Sequence, residues 1–86
     1  MVTVLITHEV DDVQLWLESP HRAPAFASVG FTVRTFVDPT AENRVGLVLD
    51  GPGLQGLQDL IASSAGVDAM KLDGVRPETI STYVES

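Results

Sequence analysis

Proton chemistry in this chain has one prominent address. In "TVLITHEVDDVQLW", Thr3 to Trp16, an alternating apolar run ends on His8, and two aspartates and a tryptophan follow at once. A histidine at the end of a buried strand can exchange protons near neutral pH or hold a ligand's carbonyl or phenol. Its plainer use is as a hydrogen-bonded strand end beside the Asp11/Asp12 turn. Trp16, carried back over His8 by a helix, supplies either core volume or the aromatic wall of a small-molecule pocket, where a ring gives buried area and a polar atom fixes orientation. His21, Arg22 and Phe26 follow a break at Pro20; His21 or Arg22 there either meets an anionic group over the sheet or faces solvent. The Tyr83 hydroxyl belongs either to that pocket or to a subunit interface, and Met70 is read as core.

Other chemistries find no footing. The two histidines stand thirteen residues apart, with no HxH or HExxH run, so no metal site is expected. The absence of cysteine excludes disulfides, thiolate ligands and thiol nucleophiles. "GPGLQG" has glycines after a strand but neither the phosphate-loop lysine nor the dinucleotide spacing, and Ser63 and Ser64 have no base near them in sequence. Twelve acidic residues against five basic ones give a charge of −7, which repels nucleic-acid phosphates and anionic membranes. No cofactor is expected. "MVTVLI" lacks a basic leader and no apolar run approaches ~18 residues, so a soluble, cytoplasmic protein is expected.

The elements that must position these groups follow from periodicity. Val2 to His8 is β-branched and alternating, with Val4, Ile6 and His8 on one face and Thr3, Leu5 and Thr7 on the other. Asp11 or Asp12 then caps a helix; Asp11 with Gln14 has capping-box spacing and Val10 with Leu15 the spacing of a hydrophobic staple. Leu15, Trp16 and Phe26 give the apolar side of a segment from Asp12 to Val29, which Pro20 and Pro24 divide into two helices, Ser19 capping the second with Pro20 at its first position. Gly30 ends it. "GFTVRTFVD" and "NRVGLVLD" form a hairpin through "PTAE", a connection of about four or five residues. "GPG" breaks the second strand, and Leu54, Leu57, Leu60 and Ile61 recur with helical spacing to about Ser63. Ser63 or Ser64 caps a further helix with Val67, Met70 and Leu72, stopped by "DG" at Asp73 and Gly74, and "PETISTYVE" is a last strand.

Strand, broken helix, strand, strand, broken helix, strand, with right-handed crossovers, is the α+β ferredoxin-like arrangement: helices on one face of a four-stranded antiparallel sheet, in one domain spanning residues 1–86. The other sheet face is left bare, and a second copy covers it most economically, so a homodimer through the sheet faces is expected. Arg34 either crosses that interface or reaches water.

In this order, "HEVDDVQLW", "GFTVRTFVDPTAENRVGLVLD" and "IASSAGVDAMKLDGV" resemble the dimeric α+β barrel superfamily over nearly the whole chain, and more narrowly its small bacterial cyclase-like and uncharacterised members. The resemblance implies sheet-to-sheet dimers and a ligand between helices and sheet. In olivetolic-acid-cyclase-like members a first-strand histidine carries catalysis, which corresponds here to His8; their further pocket histidine has no counterpart near the end of the second helix. The asparagine and helix-borne histidine of haem-degrading members are also not in place. The expectation is a cofactor-independent cyclase or isomerase acting on a small, largely apolar, polyketide-type metabolite. His8 would be its acid/base, Trp16 and Phe26 its packing surface, and Tyr83 or His21 its auxiliary donor. The alternatives are a non-catalytic dimeric binding or accessory protein and a cofactor-free monooxygenase.

Overall fold

A computed structural model describes residues 1–86. The strands are β1 (Val2–Val10), β2 (Thr32–Val37), β3 (Arg44–Gly51) and β4 (Val75–Val84). The helices α1 (Val13–Leu17) and α2 (Arg22–Ala27) lie between β1 and β2, and α3 (Leu54–Ala62) and α4 (Ser64–Leu72) between β3 and β4. All strand pairs are antiparallel, in the order β2-β3-β1-β4, so the chain has the ferredoxin-like α+β fold.

The alternation in β1 sorts the two sheet faces. Val4, Ile6, His8 and Val10 are buried, and their β3 partners Leu49, Leu47 and Val45 share their face. Trp16, Phe31 and Leu57 close over these strand residues to complete the core. The odd-numbered residues of β1 face the other way. Leu5, Val48, Arg34, Phe36 and Tyr83 fall on that open face, because Leu5 pairs with Val48 and Tyr83, Arg34 pairs with Val48 and Phe36 with Gly46. Arg34 is therefore on the open face, 3.6 Å from Asp50 and mostly in water.

Several local expectations shift by a residue or two. The cap of α1 is Asp12, whose carboxylate accepts from the Leu15 amide at 3.1 Å. No Asp11 capping box forms, because Gln14 reaches forward to Glu18 and Asp11 is held by Arg76. Leu15 consequently points to solvent instead of stapling Val10. Ser19 does not cap α2: its hydroxyl accepts from His21 N–H, Pro20 stays outside, and the helix starts at Arg22. Pro24 is tolerated because the first-turn N–H it lacks would have no intrahelical partner. The hairpin loop spans residues 38–43, longer than expected, and is tied by Asp38, which accepts from Thr40 N–H, Thr40 Oγ1 and Ala41 N–H. These bonds hold the Asp38 carboxyl below its ordinary range. Ser63 does cap α4, accepting from Gly66 N–H at 3.0 Å while donating to the Leu60 carbonyl. A side chain at Gly66 would overlap that carbonyl, so the α3–α4 corner closes tightly.

The strongest departure from regularity is in β4. Thr7 pairs with Ser81 but Glu9 pairs with Arg76, so residues 77–80 oppose His8 alone. Pro77, which cannot donate to a ladder, lies in this bulge. The Thr79 hydroxyl takes over from the missing ladder, accepting from Glu9 N–H at 2.8 Å and donating to the Arg76 carbonyl at 2.6 Å. No helix is long and apolar enough to cross a membrane.

Candidate functional site

Between the helices and the sheet lies a cavity of about 130 Å³. The strands contribute Ile6, His8, Leu47, Val75 and Ile80, and the helices Trp16, Phe26, Leu60, Ile61 and Met70. Its charged and titratable lining groups are His8, His21, Arg22 and Asp73. A wall this apolar binds through area and leaves orientation to those few polar groups.

His8 sits at the bulge end of β1 with 3% of its surface exposed. Its Nδ1 lies 3.3 Å from the Glu9 carbonyl oxygen, which can only accept, so Nδ1 carries the proton of the neutral ring and Nε2 keeps its lone pair. Nε2 has no hydrogen-bond partner in the chain. Because every fully buried side-chain nitrogen and oxygen has one, Nε2 retains contact with the cavity space. Burial is the main cause holding the imidazole pKa below its ordinary value; the Glu9 carbonyl opposes it and the Arg22 charge adds to it. The neutral ring therefore persists into mildly acidic solution.

The carbonyl that orients His8 is itself well held. Glu9 N–H is fixed by Thr79, while the Glu9 carboxylate meets Arg76 at 3.1 Å, Asn43 at 3.4 Å and Arg44 at 3.9 Å. Arg76 also donates to Asp11 at 2.9 Å, and its bonds to Asp11 and Glu9 raise its pKa. Thus the β4 bulge and this ionic cluster both bear on the strand end that presents the imidazole.

Trp16 stands edge-to-face with His8, ring centroids 5.7 Å apart and planes at 76°. The Arg22 guanidinium lies over the same indole, 3.9 Å from its centroid, and Nη2 donates to the Trp16 carbonyl. Arg22 and Asp73 then approach to 3.7 Å, with side chains 9% and 12% exposed. Burial lowers the Arg22 pKa, and Asp73 raises it again in part.

The structure brings His8, Trp16, His21 and Phe26 to the lining of one cavity. His21 is exposed, and together with exposed Ala65 it marks the mouth. Tyr83 is a correction: it pairs with Leu5 on the open sheet face, 58% exposed, and takes no part in the cavity. Met70 lines the cavity at half-burial. Arg22, expected to meet either an anionic group over the sheet or solvent, meets the Asp73 carboxylate with its side chain 9% exposed. Asp73 was read from sequence only as part of a helix stop; nothing in "DG" distinguishes a capping aspartate in water from one turned inward. No group of three or more potential metal ligands comes together.

No family model matches the chain, and no curated protein does. Solved structures do. A Deinococcus radiodurans protein provisionally named an antibiotic biosynthesis monooxygenase superposes over 100% of this chain and 91% of its own, at TM-score 0.66 and 16% identity. A second structure, named an antibiotic biosynthesis monooxygenase, covers 100% and 97% at TM-score 0.67 and 12% identity. A Bacteroides thetaiotaomicron protein of unknown function, with a suggested oxidoreductase role, covers 98% and 92% at TM-score 0.61 and 9% identity. The chain shares the ferredoxin-like fold of these proteins from end to end.

Proposed function

We propose that the cavity takes a proton from a small, largely apolar carbonyl metabolite, without a cofactor, as the opening step of an isomerisation or cyclisation. The observation that carries this reading is the His8 ring: neutral, held through Nδ1, with the Nε2 lone pair on an apolar cavity. Nε2 takes a proton from the carbon beside the substrate carbonyl; the C–H electron pair moves onto the carbonyl oxygen as an enolate. Where a carbon–carbon double bond lies β,γ to the carbonyl, the imidazolium returns the proton to the γ-carbon and completes an isomerisation; where the enolate carbon attacks a second carbonyl of the same molecule, the imidazolium gives the proton to the resulting alkoxide and completes a cyclisation. The cavity volume, about 130 Å³, compares with the ~150 Å³ site that holds benzene in an engineered protein core. One six-membered ring fits inside, and a longer molecule reaches out past His21.

A test needs no knowledge of the natural substrate. 3-Cyclohexen-1-one, a one-ring ketone that becomes conjugated when a proton moves from its α-carbon to its γ-carbon, should isomerise faster with protein than in buffer, read by ultraviolet absorbance. Binding without acceleration and without α-deuterium exchange in D₂O would leave a non-catalytic binding protein instead. The structural neighbours' names favour a second reading, a cofactor-free monooxygenase in which His8 deprotonates a one-ring phenol and dioxygen attacks a ring carbon, one oxygen atom staying as the quinone oxygen and the other leaving as water, with the substrate supplying all four electrons. Oxygen consumption coupled to loss of an oxidisable one-ring phenol would select it.

The reading includes a homodimer through the open sheet face. Leu5, Phe36, Val48 and Tyr83 lie there, with Leu5, Phe36 and Tyr83 at 41%, 49% and 58% exposure. An 86-residue chain has little core to spare, and such a pairing buries on the order of 1,200–2,000 Å². Size-exclusion chromatography with light scattering should give twice the 9.2 kDa chain mass at micromolar concentration; a monodisperse monomer would refute the pairing.

A further inference from the structure

Arg22 holds more donors than the chain uses. Its side chain is more than nine-tenths buried, and one nitrogen, Nη2, serves both the Trp16 carbonyl and the approach to Asp73. Nε and Nη1 carry three further N–H groups and have no acceptor in the protein. Since no fully buried side-chain nitrogen is left without a partner, these groups are not sealed off, and they belong to a residue that lines the cavity beside Asp73. We propose that Arg22 is the docking point for a neutral carbonyl oxygen, so that the cavity admits uncharged one-ring ketones and rejects carboxylates of the same size.

The charge balance separates the two ligand classes. Asp73 already offsets Arg22, and His8 is neutral, so the polar end carries no net charge before a ligand arrives. A carboxylate would bring a second anion beside Asp73 into an apolar pocket, on a protein whose overall charge is −7. A ketone adds no charge, accepts a charge-assisted bond from the guanidinium, and leaves the Arg22–Asp73 pair in place. This inference rests on the proton-abstraction reading for its chemical use: negative charge moving onto the carbonyl oxygen would develop against Arg22 while His8 gains the proton.

Three probes of one shape test it on the unaltered protein: cyclohexanone, methylenecyclohexane, in which =CH₂ replaces =O, and cyclohexanecarboxylate. NMR titration should show cyclohexanone displacing the Arg22 Nε–H resonance, methylenecyclohexane binding without that shift, and the carboxylate binding at least about 10-fold more weakly than the ketone. In the paired variant Arg22→Met with Asp73→Asn, which removes both charges together, cyclohexanone should lose about 10-fold or more in affinity. Methylenecyclohexane should change by less than about 2-fold there, reporting that the cavity persists. A carboxylate that binds as well as the ketone, or an Nε–H signal unmoved at saturating cyclohexanone, overturns the inference. Exchange of α-deuterium with a silent Nε–H would discard Arg22 and leave His8 standing. A shifted Nε–H with no exchange would keep Arg22 and discard proton abstraction, and binding of no probe at all would discard both.

Discussion

Changing His8 to Phe should lower turnover of an enolisable one-ring ketone by about 10²–10⁴-fold, the usual worth of a positioned acid/base. Phenylalanine keeps a planar ring to meet Trp16 edge-on and removes both nitrogens, so folding should largely survive. The change removes from the Glu9 carbonyl only the 3.3 Å contact with His8 Nδ1. The pH behaviour gives an independent reading. Burial lowers the folded-state pKa of His8, whereas in the unfolded chain the ring titrates near about 6.5. Below that value the unfolded chain gains a proton that the folded one does not, so stability falls with falling pH until the folded-state pKa is passed. This contribution is complete above about pH 6.5 and should be missing from the phenylalanine variant, in melts compared across pH 4–8. The acid limb of wild-type activity should likewise fall below the ordinary histidine range. An unchanged rate in the variant, or a variant that does not fold, would make His8 a structural residue.

Trp16→Ala should be the most damaging single truncation for stability, at about 3–5 kcal/mol. Trp16 is 1% exposed and closes one end of the core over the sheet. Its ring also bears the Arg22 guanidinium and meets His8. Loss of the indole leaves a void beside a buried ion pair, in a domain whose whole stability is of the order of 5–15 kcal/mol. For a chain of this length that corresponds to a Tm lowered by at least about 12 °C. Leu15→Ala, on the same helix but in solvent, should cost no more than about 0.5–1 kcal/mol and serves as the control. A Trp16→Ala cost below about 1 kcal/mol would show that the ring is not holding the helix to the sheet. Chemical denaturation of both variants decides the matter.

Particular residues show how far the amino-acid sequence carries. The alternation Val4, Ile6, His8 is a two-residue period, and it survives into the fold because one face of β1 must be buried and the other cannot be. From that face, a covering helix capped by an aspartate returns Trp16 to His8, and connection rules allow few other arrangements of the four strands. Asp11 and Asp12 are both able to cap by local sequence, and what separates them is Arg76, 65 residues away, which claims Asp11 and leaves the cap to Asp12. Ser19 is ambiguous for a similar reason, since a serine before proline suits a turn as well as a cap, and here it makes the turn.

What local sequence determined by itself, then, is the set of elements, their order, and the inward face of β1 with His8 on it. The tertiary structure decided everything that depends on pairing between distant segments. Tyr83 faces away from the cavity because it pairs with Leu5, and a single residue of register would have reversed it. The bulge at residues 77–80 exists because the ladder resumes at Arg76 opposite Glu9, with Thr79 supplying the missing acceptor. Asp73 and Arg22 belong to different halves of the chain and read separately as a helix stop and a cation facing either solvent or an unnamed anionic group. Only the packing of both helical segments on the same sheet face turns them inward together, where losing water is tolerable because each offsets the other's charge.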